Sequence, residues 1–247
     1  MTVAVTWWGH ASSTVELAGV RVATDPLLVD RLLHLRRYAA TPLPGATDAD
    51  VVLLSYLHLD HLHLLSLRRF GPDVPLVVPH GSKQLVRGLG LHRVVSVEPG
   101  DTVQVGGVTV ETLPATHDGR RSPGSPRHGV AVGFRVHRAA SSFWFPGDTG
   151  LRDDLADIAP VDLALVPVGG WGPSLGPAHL DPVEAAEAVA RVGAAWAVPV
   201  HWGTFWPRGL ATLTPTLHDM LFTTPGPRFV EALAERLPGT RAVLLSA

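Results

Sequence analysis

Four short apolar runs, at 51–55, 108–113, 141–145 and 195–200, each stop just ahead of a histidine or an aspartate. Runs of this length bounded by turn residues read as buried strands. In α/β folds, ligands gather beyond the C-terminal ends of such strands. Tyr56, His58, Asp60 and His61 follow the first run, His117 the second, Asp148 the third and His201 the fourth. A chain written this way must bring several strand ends to one place. That requirement constrains the fold more than composition does.

The order of elements repeats. Strands are predicted at 3–8, 12–17 and 20–24, then a short helix over 27–39, then the buried strand 51–55. Strands at 74–78 and 93–97 alternate with helices at 62–70 and 81–89. Gly106-Gly107 joins strands 102–105 and 108–113 as a hairpin. Further strands at 129–136 and 141–145 lead to buried strands at 161–166 and 195–200 and a last one at 242–245. Asp181-Pro182-Val183-Glu184 opens a helix with an N-cap, a proline at the first turn and a capping box. A helix over 227–237 presents Phe229, Leu233 and Leu237 on one face. Each half thus runs from hairpin to buried strand, which suggests two similar sheets facing each other. No long linker interrupts them, so residues 1–247 are expected to form one domain.

Composition removes several alternatives. The chain is 46% hydrophobic and 17% charged, enough to bury one sizeable core. Its net charge of −2 and lack of a basic tract do not suggest a nucleic-acid partner. Without cysteine, any metal must be held by imidazole and carboxylate. No apolar run approaches the ~20 residues of a membrane span. The first residues lack the basic and apolar regions of a signal peptide. A cytoplasmic location is therefore expected, with a homo-oligomer left open.

The chemistry lies in how the polar residues are placed. A lone His-x-Asp-His arises by chance, and Gly147-Asp148-Thr149-Gly150 suits an ordinary turn or cap. His201 before Trp202-Gly203 would also serve as a strand-end hydrogen-bonding residue. Placed together beyond neighbouring strands, the set reads as a metal centre of His58, Asp60, His61, His117, Asp148 and His201. Such donors suit zinc, one or two ions, and also manganese or iron.

Specific motifs carry a family resemblance. They are Trp8-Gly9-His10-Ala11-Ser12, Thr24-Asp25-Pro26, Ser55 to His61, Pro114-Ala115-Thr116-His117, Pro146-Gly147-Asp148-Thr149, His179-Leu180-Asp181-Pro182 and Val200-His201-Trp202-Gly203. In this order they resemble the metallo-β-lactamase superfamily, in the branch of L-ascorbate-6-phosphate lactonase and N-acyl-phosphatidylethanolamine phospholipase D-like hydrolases. The resemblance implies a four-layer αβ/βα sandwich of two mixed sheets. It also implies two metal sites bridged by Asp148. One is complete as Asp60, His61, Asp148 and His201. The other keeps His58 and His117, but Tyr56 stands where the family motif His-x-His-x-Asp-His has its first histidine.

Tyr56 leaves three outcomes open: a weak or empty site, a phenolate ligand, or a side chain swung aside while water fills its place. A neutral phenol, with a pKa of about 10, is a poor ligand. The expected activity is metal-assisted hydrolysis of an ester-type bond, lactone or phosphodiester, in a small-molecule substrate, an anionic one among the options. Asp60, His179 and Tyr56 are the catalytic candidates. A silent ligand-binding member of the same fold and an iron-dependent oxidoreductase are the alternatives. His10 and Asp25 are expected to orient ligating groups. Arg120, Arg121 and Arg127 either clamp an anionic substrate or sit in a solvated loop. Residues 27–44 and 202–216, with Trp171, are expected to form an apolar rim. The 27–38 segment is read as a lid or interface helix rather than a membrane-touching one. His63 is read as exposed or as supporting the site, and His218 as a surface residue.

Overall fold

The computed structural model describes residues 3–42, 44–170 and 175–246. The first half supplies β1 (Val3–Gly9), β2 (Ser12–Leu17), β3 (Val20–Thr24), β4 (Arg31–Leu32), β5 (Leu35–Arg37), β6 (Val51–Leu53), β7 (Leu76–Pro79) and β8 (Val94–Val97). The second supplies β9 (Thr102–Val105), β10 (Val108–Pro114), β11 (Val132–Arg138), β12 (Ser141–Phe145), β13 (Leu163–Pro167), β14 (Trp196–Val200), β15 (Phe205–Pro207) and β16 (Arg241–Ala242). One sheet has the order β1-β2-β3-β6-β7-β8 and the other β16-β14-β13-β12-β11-β10-β9. Each begins as an antiparallel meander and continues as parallel strands, at β3 with β6 and at β12 with β13. The repeated grammar of the two halves is thereby realised.

Side-chain alternation decides which face each sheet buries, because successive residues of a strand point to opposite sides. Val51 and Leu53 of β6, Phe143 and Phe145 of β12, and Leu163 and Leu165 of β13 join one cluster between the sheets. Their neighbours Val52 and Leu54 face outward against Leu67 and Val86, which belong to the short helices α1 (Leu64–Leu67) and α2 (Lys83–Val86). On the other side, Trp144, Ala164, Val166 and Ala197 pack on α3 (Pro182–Val192) and on a helix at Pro225–Arg236. Helix, sheet, sheet and helix form the four layers of an αβ/βα sandwich. Among the described residues no helix is long and apolar enough to cross a membrane.

One expected element is overturned. Residues 27–39 form no helix. They turn at Leu33, whose φ is 53°, so that β4 and β5 pair as a hairpin and β15 adds a third strand. Leu32 and Leu35 then bury against Leu27 and Phe205, while Leu33 points into solvent. The spacing of these leucines suited a helix equally well. Long-range pairing with β15 decided the matter by giving β5 backbone partners that no local pattern reveals. Elsewhere the expected elements stand, several with ends shifted by a few residues. The helices expected at 62–70 and 81–89 reduce to single turns, and the last strand to two residues.

The start of α3 follows its local code. The Asp181 carboxylate accepts from the backbone N–H groups of Val183 and Glu184 at 2.8 Å each, and Glu184 reaches back to the Asp181 N–H at 3.1 Å. Gly193 ends the helix with φ 71°, a left-handed conformation that glycine adopts without strain. Replacing Asp181 by alanine should lower unfolding free energy by about 1 kcal/mol, read from urea denaturation.

Candidate metal centre

Strand ends converge where the two sheets meet. Asp25 follows β3, and its N–H donates to Leu53 O at 3.0 Å, which ties it to the end of β6. The next loop carries Ser55 to His61 and closes through His61 and Leu62 N–H groups bonded to the His58 carbonyl. Asp148 follows β12 through Gly147, whose φ is 62° and where a Cβ would run into Ser55. Only glycine lets the two strand ends approach this closely. His201 follows β14 and His10 lies in the turn after β1. His10, Asp25 and His201 all have positive φ, at 55°, 35° and 65°. Strained backbone of this kind persists only where the surroundings over-determine it, as at functional sites.

Hydrogen bonds define the proton positions. His201 Nδ1 meets Gly169 O at 3.1 Å, and His117 Nδ1 meets Ala178 O at 3.0 Å. A carbonyl only accepts, so both Nδ1 atoms carry the proton and both Nε2 atoms present a lone pair. His61 Nδ1 meets Asp25 Oδ2 at 2.6 Å, so its Nδ1 carries a proton too and its Nε2 is turned toward the carboxylates. Asp25 is itself held by the Ser55 N–H at 2.8 Å and by the Ser55 hydroxyl.

The Nε2 atoms of His61 and His201 face carboxylates. His61 Nε2 lies 3.2 Å from His201 Nε2, 3.5 Å from Asp60 Oδ2 and 3.6 Å from Asp148 Oδ2. His201 Nε2 lies 3.6 Å from Asp60 Oδ2 and 3.3 Å from Asp148 Oδ2. A regular tetrahedron with edges of this size has its centre about 2.1 Å from each corner, which is the bond length of zinc to nitrogen or oxygen. Five of the six edges among these donors are thus of the size a tetrahedral cation requires. His10, through Nε2, contacts Asp60 Oδ2 at 2.8 Å and forms a buried group with Asp60, His61 and His201.

A second group comprises His117, Asp148 and His179. His117 Nε2 and Asp148 Oδ1 are buried without a protein partner. His179 Nδ1 donates to Leu175 O at 2.9 Å, and its Nε2 lies 3.7 Å from Asp148 Oδ2. His58, expected beside His117, is in neither group. Its ring lies 5.1 Å from that of His117, and Tyr56 stands against both, 4.7 Å from His58 and 4.5 Å from His117. The Tyr56 hydroxyl donates to Asp148 Oδ2 at 2.8 Å.

Electrostatics favours positive charge in the cage. Burial alone would lower the His61 pKa, but the charges of Asp60, Asp148 and Asp25 override it and raise it well above the ordinary value. Burial opposes ionisation of Asp60 and Asp148 as well. The surrounding histidines nonetheless hold both carboxyls well below the usual range. Burial, followed by the Asp148 and Asp60 charges, raises Tyr56 well above 10, so it is a phenol and a donor.

Other expectations are redirected. The Arg121 guanidinium donates to Leu57 O and Leu62 O at 2.6 Å each, gripping the backbone of the histidine loop. It is neither a substrate clamp nor a solvated side chain. Arg120 pairs with Asp118. His63 caps α1 by accepting from the Ser66 N–H. His218 stacks on Phe222 and meets Trp206 edge-on, so it belongs to the aromatic rim. A cleft bounded by Trp202, Phe205, Trp206, Leu221 and Phe222 opens beside His10 and His201. Trp171 lies outside the described residues. Thr204, whose hydroxyl accepts from the His10 N–H at 2.6 Å, was not foreseen, nor were the carbonyls of Gly169 and Ala178. Backbone acceptors leave no mark in a sequence.

A family profile described as the beta-lactamase superfamily domain matches residues 20–202. The chain belongs to the metallo-β-lactamase superfamily. Within that superfamily it is 32% identical over 226 residues to the N-acyl-phosphatidylethanolamine-hydrolyzing phospholipase D 1 of Caenorhabditis elegans, covering 81% of this chain and 64% of that protein. An uncharacterised Mycobacterium tuberculosis protein is 33% identical over 82% of this chain and 59% of its own length. The chain thus spans less than two thirds of these relatives. A metal-dependent hydrolase of Methanopyrus kandleri is 32% identical, covering 82% of this chain and 85% of that protein. The same superfamily fold appears in Igni18, a metallo hydrolase of Ignicoccus hospitalis, with a TM-score of 0.72 and 22% identity over 100% of this chain and 96% of that one. The diiron β-hydroxylase CmlA of Streptomyces venezuelae shares the fold at a TM-score of 0.67 and 19% identity, over 99% of this chain and 52% of that one.

Two outcomes follow. Asp25→Asn removes the carboxylate that orients His61 and should weaken zinc binding ~10–100-fold in competition with a chromogenic chelator. The second concerns pH. Burial pushes His10 and His58 down to about 4 from 6.5, against the pull of nearby carboxylates. Between those values the unfolded chain binds protons that the folded one refuses, so metal-free protein loses stability as pH falls from 6.5 toward 4. Above 6.5 the sign reverses, because folded His61 keeps a proton that the unfolded chain releases. Chelator-treated protein should therefore resist urea best near pH 6.5.

Proposed function

We propose that this chain is a metal-dependent hydrolase that cleaves an ester-type bond, lactone or phosphodiester, in a small substrate with an apolar part. The observation that carries the reading is the buried cage of Asp60 Oδ2, His61 Nε2, Asp148 Oδ2 and His201 Nε2, with both histidine tautomers set by partners outside it. Zinc suits the donors and spacing best, and manganese or iron share a preference for nitrogen and oxygen. The names of the C. elegans and M. kandleri relatives agree with hydrolysis. A divalent ion bound there supplies Lewis acidity toward a substrate oxygen and lowers the pKa of water.

The remaining work falls to the protein's own side chains. Asp60, held by His10 at 2.8 Å, faces both cage histidines and is placed to take a proton from an attacking water. His179 is partly exposed, and its Nε2 is the nitrogen left free, so it contacts substrate and, after taking up a proton from solvent at Nε2, passes that proton to the leaving group. Tyr56 is 1% exposed and touches Asp148, which makes it a positioning residue that does not reach substrate. The aromatic cleft beside His10 and His201 receives the apolar part of the substrate. Arg121 is committed to backbone carbonyls, which removes the strongest argument for an anionic substrate.

A panel of lactones, aryl esters and aryl phosphodiesters tests this reading. Hydrolysis should disappear on chelation and return with zinc. His201→Ala should cost more than the ~10–100-fold of losing an outer partner, with circular dichroism unchanged. Metal-loaded protein that turns over none of the panel would favour a ligand-binding role.

A further inference from the structure

The surroundings of Tyr56 differ from those of the cage, and the difference bears on how many ions the chain holds. We propose that it binds one divalent cation, in the Asp60–His61–Asp148–His201 cage, and that Tyr56 occupies the space a second ion would need. The inference rests on the metal-dependent reading above.

The two donor groups are unequal. The cage is buried, and five of its six edges run from 3.2 to 3.6 Å. In the second group His179 Nε2 lies 3.7 Å from Asp148 Oδ2, both histidines are only partly buried, and the one carboxylate is Asp148, already part of the cage. Tyr56 fills the space beside it. Its ring centroid lies 4.2 Å from that of His61, 4.7 Å from His58 and 4.5 Å from His117. At such separations aromatic rings are in contact, so carbon occupies the volume that these imidazoles enclose. His58 and His117 serve as walls for the phenol.

The hydroxyl completes the substitution. Its O–H donates to Asp148 Oδ2 at 2.8 Å, the same oxygen that faces His61 Nε2 and His201 Nε2, and so holds that carboxylate in place from the Tyr56 side. Making room for an ion would mean swinging a 1%-exposed phenol out of contact with three rings. The unpartnered atoms His117 Nε2 and Asp148 Oδ1 are both acceptors. They need protons, which a water or a substrate hydroxyl supplies without a second cation.

Counting bound metal tests the proposal independently of turnover. The stripped chain is titrated with cobalt(II), followed by visible absorption, and the zinc-loaded chain is assayed by elemental analysis after gel filtration. Saturation at one equivalent is expected, with Tyr56→Phe also at one because its ring still fills the space, and Tyr56→His at two. Two equivalents in the unaltered chain would overturn the proposal, and a fall to one in His179→Ala would then assign the second ion to His117, Asp148 and His179. A single equivalent in folded Tyr56→His would show that Tyr56 is not what excludes the second ion. No tight binding by the unaltered chain would overturn the metal-dependent reading itself. If Tyr56→His fails to fold, the count in the unaltered chain still decides.

Discussion

The bond from His61 Nδ1 to Asp25 Oδ2 is the interaction on which the site depends. It joins the end of β3 to the loop after β6, fixes the His61 tautomer and turns Nε2 toward the cage. Asp25 provides it from a backbone with φ 35°, tethered by Leu53 O behind and by Ser55 in front. A buried carboxylate is costly unless its lone pairs are satisfied. Here three donors meet it, and the strain is distributed over a rigid parallel pair of strands.

The same logic extends to the second sheet. His201 is set by Gly169 O from the neighbouring β13, and Asp148 is delivered by a glycine that lets β12 approach Ser55. Each sheet contributes two cage donors, so the centre also fastens the sheets at their open end. Between them, Val51, Leu53, Phe143, Phe145, Leu163 and Leu165 hold the layers together through apolar contact. The carboxylates and the raised His61 show that positive charge belongs there.

Much of the fold could be read before any coordinates. Period-two alternation located the strands, Gly106-Gly107 the hairpin, and Asp181-Pro182 with Glu184 the start of α3, because these signals act within a few residues. The hairpin at β4 and β5 could not be read. Its leucines satisfy helix and strand alike, and the deciding partner is β15, some 170 residues away. The cage donors were legible as residues beyond strand ends. Arg121 was legible only as a charge, since its three backbone carbonyl partners carry no sequence signature.

The sequence by itself determined which chemistry is available: imidazoles and carboxylates beyond apolar strands, no thiolate, and a tyrosine in place of a histidine. Tertiary structure decided what those groups do. It grouped His179 with His117 and Asp148 while Tyr56 stands between His58 and that group, made His10 a partner of Asp60, and set Tyr56 among three imidazoles with its hydroxyl on Asp148. The physical reason is one of range. Residue type and local period act along the chain, whereas proton position and donor distance depend on atoms brought together from both sheets.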